Sequence, residues 1–227
     1  MSHTVHPYSH RLGIIREWKS RWFGTGKKFR EYLKADTLIR DFVVKKLTGT
    51  YVSLVEIERG QKAIRIIIKT ARPGLIIGRS GEGSEKLRTD INQFMVKNKL
   101  NQPGVELKLD IEEIRSPESD ASVVAQQVKE MLEKRLPFRR ILKQTVEKVM
   151  ANRDAKGVRV RIAGRLNGAD MARTEELRKG QVPLQTFRAD IDFARVRATI
   201  PQGDLGIKVW IYRGEIFEKD KTTGVKN

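Results

Sequence analysis

The 227 residues carry 46 Lys and Arg against 28 Asp and Glu, a formal net charge of +18, and no cysteine. Disulfides, thiolate catalysis and cysteine-ligated zinc are thereby excluded, and neither a membrane-length apolar run nor a hydrophobic signal segment is present. The charge calls for a polyanionic partner and no membrane, in the cytoplasm, and a chain this long is expected to form two domains.

Met1 to Pro7 reads as an arm, and the three histidines, His3, His6 and His10, lie in or just after it. With no acidic or sulfur ligand nearby, a solvated or RNA-contacting tail is expected rather than a metal site, and no cofactor is expected. Arg11 to Lys28 then interleaves Arg16, Lys19, Arg21, Lys27 and Lys28 with Trp18, Trp22 and Phe23. Rings can stack on bases while cations hold phosphates, which makes Lys19 and Arg21 candidate RNA contacts. The alternative for at least one Trp is packing onto the first domain.

Asp36 is placed to cap a helix that buries Leu38, Ile39, Phe42, Val43 and Leu47 and ends near Gly49. Two β-runs, Tyr51 to Glu58 and Lys62 to Thr70, flank Arg59-Gly60 as a hairpin. Pro73 opens a short helical turn leading to Gly78-Arg79-Ser80-Gly81, and Glu82 to Asn98 forms a longer helix with Leu87, Ile91 and Phe94 inward. Val105, Leu107, Leu109 and Ile111 alternate with polar residues as a half-buried strand.

Gly78 and Gly81 carry no Cβ, so a sugar-phosphate chain can approach the main chain and positive φ costs little. The start of the following helix suits an anionic oxygen, and Arg79 adds a fixed charge and a donor fork. Four residues alone could equally be a turn that contacts nothing. In its setting of strand, short helix, loop, helix and strand, the segment resembles the KH fold, whose Gly-x-x-Gly loop clamps a single nucleic-acid strand. No Walker or dinucleotide spacing competes.

Arg115-Ser116-Pro117-Glu118-Ser119 is the predicted domain boundary. Val124, Val128, Met131 and Leu132 mark one helix, and Phe138 to Asn152 a second that buries Ile141, Leu142, Thr145, Val146 and Val149. At its start Arg139, Arg140 and Lys143 span a basic corner. A solvated face is the plain explanation, yet cations at a helix N-terminus oppose its dipole, and an anionic partner would remove the conflict.

Val158, Val160 and Ile162 alternate with Arg159 and Arg161, a strand with a basic face, and Arg165 follows in the turn Gly164 to Gly168. Met171 to Lys179 reads as a short helix. Gln185 to Ile200 reads as a long strand with a bulge between Phe193 and Val196, Ile207, Val209 and Ile211 as the last strand, and Lys219 to Asn227 as a solvated tail.

Five segments in order resemble the bacterial form of the third protein of the small ribosomal subunit: Arg11 to Ile14, Ile76 to Gly81, Phe138 to Lys143, Gly164 to Gly168 and Gly206 to Ile211. The resemblance implies an α+β protein with a prokaryotic-type (type II) KH domain followed by a second α+β domain, two helices packed on a mostly antiparallel sheet. Residues 1–15 would be the arm, 16–115 the KH domain, 116–217 the second domain and 218–227 the tail. It further implies a place in the subunit head, on small-subunit ribosomal RNA and at the messenger RNA entrance, with Arg139, Arg140 and Lys143 facing messenger. Gly78, Arg79, Ser80, Gly81, Arg159, Arg161, Arg165, Lys19 and Arg21 are the candidate ribosomal RNA contacts. Neighbours would be proteins ten and fourteen in the head, and four and five around the entrance.

With no nucleotide site visible, any unwinding of messenger would be passive. Two other readings compete. One is a free-standing KH-type RNA chaperone. The other is a nuclease using the paired carboxylates Asp110 and Glu112, or Asp190 and Asp192, to hold Mg²⁺, although each pair is also what the wet face of a half-buried strand looks like.

Overall fold

The computed structural model describes residues 5–100 and 105–217; His3 and the predicted tail from Lys219 lie outside them. The chain divides into two compact units. Trp18–Arg115 form one, and the segment up to Glu17 joins Ser116 onward in the other.

In the first unit, α2 (Gly26–Lys46) leads into the strands β2 (Val52–Arg59) and β3 (Ala63–Thr70). The short α3 (Pro73–Ile77), α4 (Glu82–Lys97) and β4 (Glu106–Glu113) follow. A two-residue strand, β1 (Ser20–Arg21), pairs parallel to β2. The sheet order is β1-β2-β3-β4, with β2 and β3 antiparallel and β4 parallel to β3. Ile57, Ile64, Ile66, Ile68 and Leu107 meet Ile39 and Val43 of α2 and Leu87, Ile91 and Met95 of α4 in one core. Phe94, expected inward, is half-buried and stacks on Phe42 with ring centroids 4.4 Å apart.

Asp36 corrects the sequence reading. It caps nothing, because the helix begins ten residues earlier, at Gly26. Its carboxylate is buried, taking both guanidinium contacts of Arg59 and the Trp22 indole N–H at 2.7 Å. An aspartate ahead of an apolar stripe reads as a cap when the cations that neutralise it are out of sight along the chain.

The second unit contains α5 (Ala121–Glu133), α6 (Phe138–Ala151) and the strands β5 (Gly157–Gly164), β6 (Arg173–Gly180), β7 (Ala189–Ile200) and β8 (Gly203–Glu215). The sheet runs β6-β5-β8-β7, antiparallel throughout. Both helices lie on one face, over Val158, Val160, Ile162, Ile207, Val209 and Ile211. Asp120 caps α5 by accepting from the amides of Ser122 and Val123. The α+β architecture is the one the sequence predicts.

Three local readings change. Residues 173–180 form an edge strand, not a helix, because pairing with β5 overrides the helix propensity of Glu-Glu-Leu-Arg-Lys. The long strand starts at Ala189, and its register shift falls between Asp190 and Ile191 rather than after Phe193. The apparent change of phase has another cause. Ala189, Ile191 and Phe193 pack with Trp210 and Tyr212 on the sheet face away from the helices, whereas Ala194 and Ala198 face the helices, so one strand is buried on both sides in turn. Lastly, residues 5–15 are no arm. The turn of helix α1 (Pro7–His10) buries Pro7, Arg11 is fully buried, and the rings of His6 and His10 lie against Phe193 and Phe187, at 4.7 and 4.3 Å.

Candidate nucleic-acid interface

Ile76 of α3 shares a core with Leu87 and Ile91 of α4, and at Gly83 the two helices approach to backbone distance. Gly78 has φ +70° and Gly81 φ +85°, and Ser80 between them is held at φ +53°. A Cβ on Gly83 would stand 2.4 Å from the Ile76 carbonyl oxygen, and one on Gly78 3.2 Å from the Gly83 nitrogen. Gly83 is thus the residue that lets the two helices cross, a role the sequence reading missed although a glycine in a first helical turn is a visible oddity. The Ser84 hydroxyl donates to the Gly81 carbonyl at 2.7 Å. Gly78, Arg79 and Ser80 are exposed, and Arg79 forms no ion pair among the described residues. Glu82 and Glu85 occupy the first turn of α4, so attraction for an anion rests on Arg79 and the loop amides more than on the helix end.

This geometry separates two substitutions. Gly83→Ala is expected to lower the stability of the first unit by about 2–3 kcal/mol, since the obstructing atom is main chain and has nowhere to go. Gly81→Ala meets only open space and a serine hydroxyl at 3.9 Å, so its cost is that of positive φ, about 1 kcal/mol. Urea unfolding of both variants measures the difference; equal losses would mean the helices do not cross at Gly83.

The basic corner is set by α6. Phe138, Ile141 and Leu142 are buried, which turns Arg139, Arg140 and Lys143 outward, all exposed. Pro137 supplies no side-chain cap and the first turn has no acid. β6 brings two residues that the helical reading of that segment hid. Glu175 lies 3.8 Å from Arg139 and 3.5 Å from Arg173, and the guanidiniums of Arg139 and Arg173 lie 5.8 and 5.7 Å from the centre of the Phe138 ring. The Arg139 side chain is 75% exposed, so its pair is weak. Arg140 and Lys143 make no ion pair among the described residues.

The other candidates divide. Arg161 stands directly across from Lys208, which stands across from Arg195, so three cations form a row on the face away from the helices. Glu176 of β6 stands across from Arg161 on its other side, but its carboxylate is bonded to Arg159, so the like charges in the row still repel and an anion would relieve them. Arg159 on the same face is instead bonded to Glu176 at 2.6 Å and lies over Trp210 at 5.0 Å. Arg165 braces its own turn and ties it to the β7–β8 turn, donating to the carbonyls of Ala169 and Gln202 at 2.9 and 3.3 Å. Arg21 is held by Glu56 and Glu58, both at 2.9 Å, and the Lys19 carbonyl accepts from the Ile57 amide. Trp22 packs against Phe29 and Tyr32, while Trp18 and Phe23 remain 67% and 88% exposed.

The carboxylate pairs are bound up as well. Asp110 is bonded to Arg65, Glu112 lies 3.7 Å from Lys69 and Asp190 2.7 Å from Arg16. Asp192 accepts from the Ala121 amide and Arg213. The hydrogen bond that Arg65 donates to Asp110, helped by the charge of that carboxylate, raises the pKa of Arg65. Among the described residues no three acidic or histidine side chains cluster as metal ligands.

Two family models match along the chain. Residues 38–119 match the family model for the KH domain, and residues 128–211 that for ribosomal protein S3, C-terminal domain. The chain is 45% identical over 218 residues to the small ribosomal subunit protein uS3 of Xanthomonas euvesicatoria, covering 96% of this chain and 86% of that one. It is 42% identical over 226 residues to uS3 of Caldicellulosiruptor bescii, covering 100% and 98%, and 44% identical over 218 residues to that of Methylococcus capsulatus, covering 96% and 94%.

Proposed function

The chain belongs to the family of small ribosomal subunit protein uS3, and on that premise we propose that it binds small-subunit ribosomal RNA and lines the messenger entrance, parting messenger structure passively. Its role is structural, as a constituent of the ribosome, rather than enzymatic. The observation that carries the messenger reading is the α6 corner, where Arg140 and Lys143 stand exposed without a carboxylate partner among the described residues, at a helix end whose dipole opposes them. Messenger phosphates supply the missing charge. Phosphate contacts carry no base code, which suits an opening through which every message passes.

Ribosomal RNA is held by the Gly78–Gly81 loop with Arg79 and by the row that Arg161 begins. Lys19 and Arg21 in the first unit and Arg159 and Arg165 in the second are further ribosomal RNA contacts, but RNA would have to share Arg21, Arg159 and Arg165 with the partners they already have. Proteins ten and fourteen are the neighbours in the head, and four and five those at the entrance.

The test is ribosomes carrying Arg139→Ala, Arg140→Ala and Lys143→Ala together, timed through a stable messenger hairpin. Pausing is expected to lengthen roughly tenfold, equivalent to about 0.5 kcal/mol per lost phosphate contact, with unstructured messages unaffected. Unchanged pausing overturns the reading.

A further inference from the structure

Beside the basic corner the second unit has a cleft of about 340 Å³ between the α5–α6 turn, the turn after β5 and the β7–β8 turn. Its floor is apolar: Leu132, Leu166 and Leu205 are 3%, 1% and 3% exposed. Arg135, Asn167 and Gln202 stand on its rim, all exposed, and none of the three side chains has a hydrogen-bond or ion-pair partner among the described residues. The rim is also strained into place. Arg135 and Asn167 hold φ of +59° and +55°, a conformation that costs non-glycine residues on the order of 1 kcal/mol. Gly168, next to Asn167, holds φ +76°, and a Cβ there would be in ordinary contact with the Gln202 amide.

We propose that this cleft receives one unpaired base of a single RNA strand whose phosphates lie on Arg139, Arg140 and Lys143. Amides present a donor and an acceptor side by side, the pattern that matches the edge of a base, and the exposed Leu136 and Pro137 with the half-buried Ile200 offer the ring plane an apolar surface. Pro137 and Phe138 line the cleft and Arg139 follows at once, so a strand crossing the corner passes the mouth. A duplex cannot enter, because its bases are stacked and paired; the cleft rewards only a base already freed. It thereby favours the melted state of messenger and gives passive opening a direction. The proposal rests on the reading of the corner as messenger-facing.

The test uses the purified full-length chain and two short single-stranded oligoribonucleotides, one with 2-aminopurine at its centre and one abasic there. Asn167→Gly, which keeps the positive φ, combined with Gln202→Ala is expected to weaken the base-bearing strand roughly tenfold through two lost hydrogen bonds, with the abasic strand unchanged. The triple alanine corner variant is expected to weaken both. If the corner variant weakens both strands while the cleft variant binds each as the wild type does, the cleft proposal fails alone. If the corner variant changes neither, the reading beneath it fails too. Crosslinking of wild-type protein to a 4-thiouridine strand, which needs no variant, is expected to mark residues between 135 and 138 or at 167 and 202; adducts confined elsewhere overturn the proposal.

Discussion

Arg11→Met is expected to destabilise the second unit by about 3–5 kcal/mol, among the largest losses available to a single substitution. The Arg11 side chain is fully buried and its guanidinium donates to the carbonyls of Ala189 at 2.7 Å, Pro7 at 3.0 Å, Leu184 at 3.0 Å, Thr186 at 2.9 Å and Pro183 at 3.4 Å. Ala189 opens β7, and the other carbonyls belong to segments outside the ladders, the turn at residue 7 and the chain leading into β7. Removing the fork leaves the buried ones, at Pro7 and Ala189, short of a donor and loosens the half-buried Pro183, Leu184 and Thr186. Burial lowers the pKa of Arg11 and the nearby Asp190 opposes that shift, while Asp190 is itself bonded to Arg16. Arg11→Lys keeps the charge but offers three donors from a point rather than five from a plane, so it is expected to recover less than half the loss. Trp210 lies near this site, packed on Phe193 at 5.2 Å, and reports unfolding once Trp18 and Trp22 are replaced by Phe. A loss below about 1 kcal/mol for Arg11→Met would show that water can take over the carbonyls.

Asp36→Ala is expected to cost the first unit about 3–5 kcal/mol, because it leaves the Arg59 guanidinium buried without its counter-charge. The two side chains are 1% and 5% exposed, and the carboxylate also accepts from the Trp22 indole. Arg59 lies over the Tyr32 ring at 5.1 Å, so the pair joins α2, the β2–β3 hairpin and the segment carrying β1. The second arm of the experiment is the double variant Asp36→Leu with Arg59→Met. Replacing both charges with apolar groups removes the uncompensated ion, and most of the lost stability is expected to return. Urea unfolding followed by Trp22 fluorescence measures both. A double variant no more stable than Asp36→Ala would mean that the pair contributes through hydrogen-bond geometry and not through balanced charge.

Much of the candidate site was legible along the chain. Gly78, Arg79, Ser80 and Gly81 are consecutive, and Arg139, Arg140 and Lys143 fall within one helical repeat whose buried face, Phe138, Ile141, Leu142, is equally local. Such information survives without tertiary structure because helix and strand periods assign a side chain to a face from its neighbours alone. What stayed hidden needed distant residues. Arg173 and Glu175 join the corner only because residues 173–180 pair with β5, and Arg161, Lys208 and Arg195 come from three strands. Nor does a sequence distinguish a free arginine from an engaged one: Glu176 stands across the ladder from Arg161, yet its carboxylate pairs with Arg159, two residues away.

The order and type of most elements, the glycine loop, the cation-rich helix start and the predominance of positive charge were determined by the sequence itself, since each is a matter of spacing or composition. The tertiary structure alone decided that Asp36 anchors rather than caps, that Arg11 ties the first residues onto the last sheet, that residues 173–180 extend as a strand, and which cations are left with charge to offer. The physical reason is that burial and ion pairing depend on proximity in space, and a charge is free or neutralised according to side chains dozens of residues away, about which local periodicity carries no information.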